Sequence, residues 1–215
     1  MKTPHILAAG LAATLAIAVA GIAHAADGKS SPKKKNETAI FAGGCFWCMQ
    51  AAFDDVKGVI ETTAGYTGGN KVNPTYEEVG SGATGHCESV EVEFDPSKLS
   101  YETLLAIFWH NIDPTQSNGQ FCDHGNQYRA EIFYRDEEQH ALAEASEQEV
   151  EKKFGVAAVR ITPASTFYPA EEYHQHFHRT NPDEYHSYRE GCGRDRRLRA
   201  LWGDDAGIAH ARPKQ

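Results

Sequence analysis

Apolar and polar residues repeat along this chain with two periods, one of about two residues and one of about 3.6. Apolar and acidic residues alternate over 90–94, and this period of two predicts a strand with one exposed face. Over 100–109 the apolar residues recur at helical spacing behind a serine suited to an N-cap, so a helix is expected there. Another helix is predicted from Asp136 to about Gly155, because an Asp and a Gln three residues apart resemble a capping box.

The remaining segments complete an alternation of strands and helices. Short apolar runs predict four more strands, at 38–42, 59–64, 130–134 and 156–161, and two more helices are predicted, at 45–55 and 171–179. Gly-rich polar stretches at 65–85 and 113–126 are predicted to be long functional loops. The Arg- and Gly-rich remainder is expected to wrap the surface. This order predicts one α/β (α+β) domain with a ferredoxin-like split βαβ core.

The N-terminal segment differs in composition from the rest of the chain. A lysine at position 2 precedes an uncharged, Ala-rich stretch over 6–23, and positions 23–25 read Ala-His-Ala, so residues 1–25 are predicted to be a cleaved signal peptide. The stretch is of borderline length for a bilayer, and a membrane anchor is the alternative. Residues 26–37 are expected to be a polar tether and 204–215 a C-terminal tail. The predicted location is a periplasm.

Composition narrows the class of function. Of 215 residues, 24 % are charged and 40 % hydrophobic, which is typical of a globular protein. The 30 acidic and 21 basic residues give a formal net charge of −9, and this argues against nucleic-acid binding because phosphate backbones attract basic surfaces. The five cysteines are an odd number, so intramolecular disulfides leave at least one thiol free.

The run GGCFWC at 43–48 carries the clearest chemical pattern. A thiol placed where a strand gives way to a helix lies at the positive end of the helix dipole, which predicts a lowered pKa and a reactive thiolate at Cys45. Phe46 and Trp47 can supply an apolar wall beside it. Redox pairs, zinc half-sites and structural disulfides all use the C-x-x-C spacing, so the spacing alone does not choose among them.

This run and several later motifs together resemble the A-type peptide methionine sulfoxide reductases. The later motifs are GYTGG at 65–69, NPTYEEV at 73–79, TGHCE at 84–88, FW at 108–109 with DP at 113–114, DHGNQYR at 123–129 and FYPAEEYHQ at 167–175. The resemblance covers about residues 38–203, which are therefore expected to form the reductase domain. Several motifs in the same order are far more specific than one C-x-x-C.

The resemblance implies an oxidoreductase that reduces methionine S-sulfoxide, free or in proteins, and so repairs oxidative damage. It maps the nucleophile to Cys45, the acid to Glu88, the oxygen-binding tyrosines to Tyr76 and Tyr128, a supporting aspartate to Asp123 and the methyl-binding aromatics to Phe46 and Trp47. The reaction leaves a sulfenic acid, which a second thiol converts to a disulfide. An external thioredoxin-like dithiol then reduces that disulfide, so no bound cofactor or metal is expected, and the protein is expected to be a monomer.

The identity of the second, resolving thiol stays open between Cys192 and Cys48. The family often carries its resolving cysteine just after an Asn-Pro pair, a neighbourhood that His186 occupies here. Cys192 follows in a Gly-flanked segment that is expected to be mobile, and this favours it. Cys48 lies closer in sequence, but a helix fixes its direction. Cys87 and Cys122 are expected to be inert packing thiols.

Two other functions share parts of the pattern. A thioredoxin-like thiol–disulfide oxidoreductase would also use Cys45 and Cys48 after a strand, but it leaves the tyrosine and glutamate motifs unexplained. A zinc protein would use His174, His176 and His178, of which the first and last share one face of the predicted helix, together with Cys45 and Cys48. Reduction of insulin disulfides without sulfoxide activity would favour the first, and elemental analysis would decide the second.

Overall fold

A six-stranded sheet forms the centre of the structure, a computed structural model that describes residue 1 and residues 35–207. The strands in chain order are β1 (Glu37–Gly43), β2 (Val59–Thr67), β3 (Cys87–Phe94), β4 (Gly119–Gln120), β5 (Asp123–His124), β6 (Ala130–Tyr134), β7 (Arg160–Pro163) and β8 (Tyr168–Pro169). The order in the sheet is β7-β6-β1-β3-β2-β8, and β4 pairs with β5 in a separate hairpin.

The helices connect these strands and extend the chain beyond them. They are α1 (Phe46–Phe53), α2 (Tyr76–Gly80), α3 (Tyr101–His110), α4 (Glu137–Phe154), α5 (Phe177–Thr180), α6 (Pro182–Gly191) and α7 (Arg194–Trp202). The predicted caps of α3 and α4 are confirmed. Ser100 accepts a hydrogen bond from the Thr103 N–H, Asp136 accepts one from the Gln139 N–H, and Gly155 ends α4 in the left-handed conformation.

The four inner strands confirm the predicted split βαβ core. Their order is β6-β1-β3-β2, and every neighbouring pair in it is antiparallel. Helix α1 connects β1 to β2, and α3 lies between β3 and β6. β7 adds a parallel edge to β6 and β8 an antiparallel edge to β2. Because β1 is central and its second half is fully buried, the chain leaves the sheet from a rigid position.

The predicted helix over 171–179 is wrong. The chain forms a short 3-10 turn at Glu172–His174, extends at Gln175, and turns through a left-handed residue at His176 before α5 begins. The Gln175 side chain accepts from the N–H of Ala64 and donates to its carbonyl, both at 2.9 Å, as a neighbouring strand would. The His176 N–H donates to the Gln50 side chain at 2.7 Å. These tertiary hydrogen bonds replace the local ones that a helix needs.

The C-terminal segment, expected to wrap the surface and to be mobile around Cys192, is helical and tied down. Residues 182–202 form α6 and α7, whose Leu198 and Trp202 are buried against the core. Cys192 ends α6 and is joined by a disulfide to Cys122, which was expected to be an inert thiol. The expected loop over 65–85 contains the short helix α2, and the strand predicted at 156–161 lies at 160–163.

The predicted signal peptide, apart from residue 1, lies outside the described residues, as do the tether up to residue 34 and the tail from residue 208. Among the residues that the structure describes, no helix is both long and apolar enough to cross a membrane.

Candidate active site

Cys45 lies at the junction between β1 and α1, as the sequence predicted. The chain turns at Gly44, whose φ of +81° is a left-handed value that favours glycine. A Cβ there would also lie 2.6 Å from the Gln120 side chain, so the turn requires a residue without one. Cys45 is the N-cap of α1, and its carbonyl accepts hydrogen bonds from the N–H groups of Cys48 and Met49. The strand–turn–helix geometry therefore delivers one thiol to the start of a helix.

Cys45 and Cys48 form a buried thiol pair that shares a hydrogen bond. The Cys45 thiol donates to the Cys48 thiolate, and this bond, with the charges of Arg194 and Arg189, lowers the pKa of Cys48 to about 6. Burial, reinforced by the negative charges of Cys48 and Glu88, raises the pKa of Cys45. This corrects the expectation of a lowered pKa at Cys45, because the pair loses a proton more readily from Cys48.

The two arginines that act on this pair come from the C-terminal helices. Arg194 is buried, and its guanidinium donates to the carbonyl of Gly43 at 3.0 Å and to that of Asn111 at 2.8 Å. Arg189 pairs with Asp195 at 2.6 Å. No motif in the sequence links these arginines to Cys48, since they are more than 140 positions away.

Glu88 is buried beside the thiol pair and keeps its proton at neutral pH. It is 3 % exposed and lies on the same face of β3 as Val90 and Val92. Its Oε2 accepts a hydrogen bond of 2.9 Å from the N–H of Phe46, the first residue of α1. Burial, with the nearby negative charges, outweighs that bond and raises the pKa of Glu88 to about 8. The carboxyl can therefore serve as an acid at pH 7.

Tyr76 is the first residue of α2, and hydrogen bonds to its own backbone and to that of the N-cap residue Thr75 fix its position. Thr75 and Glu78 form a complete capping box around this short helix. The Tyr76 N–H donates to Glu171 at 2.9 Å, and the same carboxylate accepts the hydroxyl of Tyr66 at 2.7 Å. Burial and the charge of Glu88 raise the pKa of Tyr76 to about 12, so its hydroxyl is a neutral donor.

Tyr128 approaches the same site from the segment that follows the β4–β5 hairpin. It ends a 3-10 turn, and the buried Arg129 next to it donates to the carbonyls of Asn126 and Gly85. These bonds join the turn to the loop that leads into β3 and thus toward Glu88. Burial and the charge of Glu88 raise the pKa of Tyr128, which keeps its hydroxyl protonated.

Phe46 and Trp47 form a wall whose orientation is fixed by the chain after residue 170. The Trp47 indole N–H donates to His174 Nδ1 at 3.1 Å, and its ring stacks on Phe177 with 3.8 Å between centroids. Phe46 lies 4.9 Å from the His174 ring and 6.4 Å from the Tyr76 ring. Burial lowers the pKa of His174, so its imidazole is neutral and can accept the indole proton.

One pocket of about 60 Å³ brings these groups together. It is lined by Cys45, Phe46, Trp47, Tyr76, Glu88, Asp123, Tyr128 and Tyr188. The first seven are the predicted site residues. Tyr188 was missed, because no motif marks it; its one regular feature is the spacing of three residues from Tyr185. Two larger cavities, near α3 and α4 and along α6 and α7, include none of the predicted catalytic or methyl-binding residues. Among the candidate resolving cysteines, Cys48 is a free thiol and Cys192 is bonded to Cys122.

The three clustered histidines do not form the metal site that one alternative required. His174 binds Trp47, whereas His176 and His178 approach Asp54 at 2.7 and 3.3 Å. Within residues 35–207, the group of three potential ligands that lies within 4.8 Å is Cys122, Asp123 and Cys192. The disulfide already joins both of those sulfurs.

Comparisons with known proteins agree with the chemistry of this pocket. Residues 37–206 match a family profile described as peptide methionine sulfoxide reductase. A protein from Bacillus licheniformis named peptide methionine sulfoxide reductase MsrA is 49 % identical over 177 residues, which cover 79 % of this chain and 96 % of that protein. MsrA 2 from Caulobacter vibrioides is 49 % identical over 171 residues, covering 79 % and 87 %.

Solved structures with the same architecture lead to the same family. Methionine sulfoxide reductase A of Corynebacterium diphtheriae superposes with a TM-score of 0.64 at 32 % identity, covering 71 % of this chain and 77 % of that one. The reduced form of Mxr1 from Saccharomyces cerevisiae superposes with a TM-score of 0.66 at 29 % identity, covering 69 % and 87 %. The predicted mixed α/β fold is confirmed by both.

The proton on Glu88 generates a test of the site. Glu88→Gln keeps the acceptor for the Phe46 N–H but cannot release a proton, so reduction of a methionine sulfoxide peptide in a single turnover should slow by about 10²–10⁴-fold. In the unchanged protein the rate should fall as pH rises through about 8, where Glu88 ionises. Glu91→Gln, on the opposite face of β3, should change little. A wild-type rate in the Glu88 variant would contradict the role.

Proposed function

Because the chain belongs to the peptide methionine sulfoxide reductase family and reduces methionine sulfoxide with thiol chemistry, we propose a mechanism in which Cys45 attacks the sulfur directly. One observation carries the proposal. One small pocket brings together the Cys45 thiol, a protonated Glu88, neutral tyrosine hydroxyls and an aromatic wall. These groups complement the three parts of a methyl sulfoxide, which are an electrophilic sulfur, a basic oxygen and a methyl group.

Substrate binding follows from the two sides of the pocket. The methyl group packs on Phe46 and Trp47, since methyl and sulfur groups favour aromatic surfaces. The oxygen takes hydrogen bonds from Tyr76 and Tyr128, whose hydroxyls are neutral donors. A sulfoxide sulfur is chiral, so only one epimer can satisfy both sides while facing Cys45. The resemblance to the family implies that this is the S-epimer.

The thiol pair supplies the nucleophile. The proton that Cys45 shares with Cys48 moves fully to Cys48, which leaves a thiolate on Cys45 for attack on the sulfoxide sulfur. Glu88 donates its proton to the sulfoxide oxygen as the sulfur–oxygen bond breaks. The protonated oxygen transfers to the Cys45 sulfur as the new bond between Cys45 and the substrate sulfur breaks, so methionine leaves and Cys45 becomes a sulfenic acid. The sulfoxide is thereby reduced by two electrons and the Cys45 sulfur oxidised by two.

Cys48 is the thiol that the structure supports for resolving the sulfenic acid. It is free, it lies in hydrogen-bond contact with Cys45, and its condensation with the sulfenic acid forms a disulfide and releases one water. The assignment of this role to Cys192 stays a prediction, and it requires the Cys122–Cys192 bond to open first. An external dithiol of the thioredoxin class then restores both thiols, so the reaction uses no resident cofactor.

Turnover tests the reaction. The purified protein with a dithiol should convert the S-epimer of methionine sulfoxide, free or in a peptide, to methionine and leave the R-epimer unchanged. Cys45→Ser should abolish turnover, because a serine hydroxyl is far too basic to attack as its anion. Cys87→Ala removes another buried free thiol and should keep the activity. Reduction of insulin disulfides without sulfoxide reduction would instead support a general disulfide oxidoreductase.

The resolving step has a separate test by peptide mapping. Protein treated with substrate and no reductant should contain a Cys45–Cys48 disulfide, with Cys122–Cys192 intact. Cys48→Ala should release one methionine per enzyme, more slowly because the acceptor for the Cys45 proton is lost, and then retain a sulfenic acid on Cys45, which a dimedone label detects. A Cys45–Cys192 disulfide as the main product would restore the assignment made from the sequence.

Export is proposed from the N-terminal sequence. An Ala-rich stretch followed by an A-x-A pattern supports cleavage after Ala25 and delivery to a periplasm, where the enzyme would repair oxidised proteins. N-terminal sequencing of the protein isolated from its native compartment should begin at Ala26. Recovery of mature protein that still begins at Met1 would refute cleavage.

A further inference from the structure

Helix α6 contributes a tyrosine to the pocket that the mechanism above does not use. The Tyr188 hydroxyl donates a hydrogen bond to Asp123 Oδ2, and its ring meets Trp47 edge-on with 5.8 Å between centroids. Asp123 and Trp47 line the pocket together with Cys45. Tyr188 therefore contacts the supporting aspartate through its polar end and the methyl-binding wall through its ring.

A disulfide joins the segment that carries Asp123 to the segment that carries Tyr188. Cys122 directly precedes Asp123, and Cys192 ends α6 about one helical turn after Tyr188. The disulfide between these cysteines brings their Cα atoms to 5.0 Å across 70 positions of sequence. The Cys122 N–H also donates to the Cys192 sulfur at 3.2 Å. The disulfide thus restrains the chain next to Asp123 and next to Tyr188, the two residues that form the hydrogen bond.

The hydrogen bond acts on the charge of Asp123. This carboxylate is half-buried, and burial raises its pKa, while the Tyr188 donor and the charge of Arg194 lower it. An ionised Asp123 in turn disfavours ionisation of Glu88. Tyr188 itself stays protonated, because burial and the neighbouring thiols raise its pKa. The other titratable or charged groups that interact with Asp123 are Glu88, Arg194, His124, Tyr76 and Tyr128.

We propose that Tyr188 is a positioning residue for sulfoxide reduction, which holds Asp123 ionised and aimed into the pocket. The inference rests on the proposed function and adds a residue to its machinery. It assigns no substrate contact to Tyr188, because the hydroxyl proton is already given to Asp123. Its effect on the reaction must therefore vanish when Asp123 is changed.

A double-mutant cycle tests this dependence. Tyr188→Phe keeps the ring on Trp47 and removes the hydroxyl, so kcat should fall about 10-fold to 100-fold, as for a lost hydrogen bond to a charged group, with KM within about twofold. In an Asp123→Asn background the same change should cost less than about twofold. Tyr101→Phe is the matched control, since that buried hydroxyl has no hydrogen-bond partner among the described residues. It should leave kcat unchanged.

A second readout does not depend on activity. Carbon-13 NMR titration of the Asp123 carboxyl should show a pKa raised by about one unit or more in Tyr188→Phe, and no change in Tyr101→Phe. Equal losses of kcat with and without Asp123, or an unchanged Asp123 pKa, would overturn the proposal. If the unchanged protein fails to reduce any methionine sulfoxide, the proposed function falls, and the NMR titration still decides whether Tyr188 holds Asp123.

Discussion

The burial of Glu88 against the first N–H of α1 is the constraint around which the site is built. Within residues 35–207 no ion pair to this carboxyl is present, so at neutral pH its burial is tolerable chiefly in the protonated form. The same hydrogen bond ties β3 to the start of α1 and so fixes where Cys45 lies relative to the acid. A fold that buries the acid therefore supplies both its proton and its alignment with the nucleophile.

The electrostatics of the thiol pair depend on a different part of the chain. A helix start alone would favour a thiolate at Cys45, but its first N–H is occupied by Glu88. The hydrogen bond from Cys45, with the charges of Arg194 and Arg189, lowers the pKa of Cys48 instead. Cys48 is thereby both the acceptor for the Cys45 proton and, in the proposed mechanism, the partner for its oxidised form. Cys48 can serve in both the proton transfer and the disulfide formation because it lies within hydrogen-bond distance of Cys45.

The C-terminal third of the chain orients residues of the pocket and adds Tyr188 to its lining. His174 and Phe177 orient Trp47, and Tyr188 reaches Asp123. None of these contacts follows from local secondary structure, since the chain is extended at Gln175, whose side chain bonds to the Ala64 backbone in β2. The disulfide to Cys122 then attaches this wall to the loop that carries Asp123. The chain after residue 170 therefore packs against the catalytic groups that come from β3, α1 and the central loops.

Sequence patterns alone predicted the α/β core and seven of the residues that line the pocket. Periodicity predicts most of the strands and the long helices, and the ordered motifs place the nucleophile, the acid and the tyrosines, because each motif lies on one local element. The pairing of Cys122 with Cys192, the effect of the arginines on the pKa of Cys48 and the presence of Tyr188 in the pocket emerge only from the fold. Those outcomes depend on groups more than 60 positions apart, whose distances, burial and charges exist only once the chain has folded.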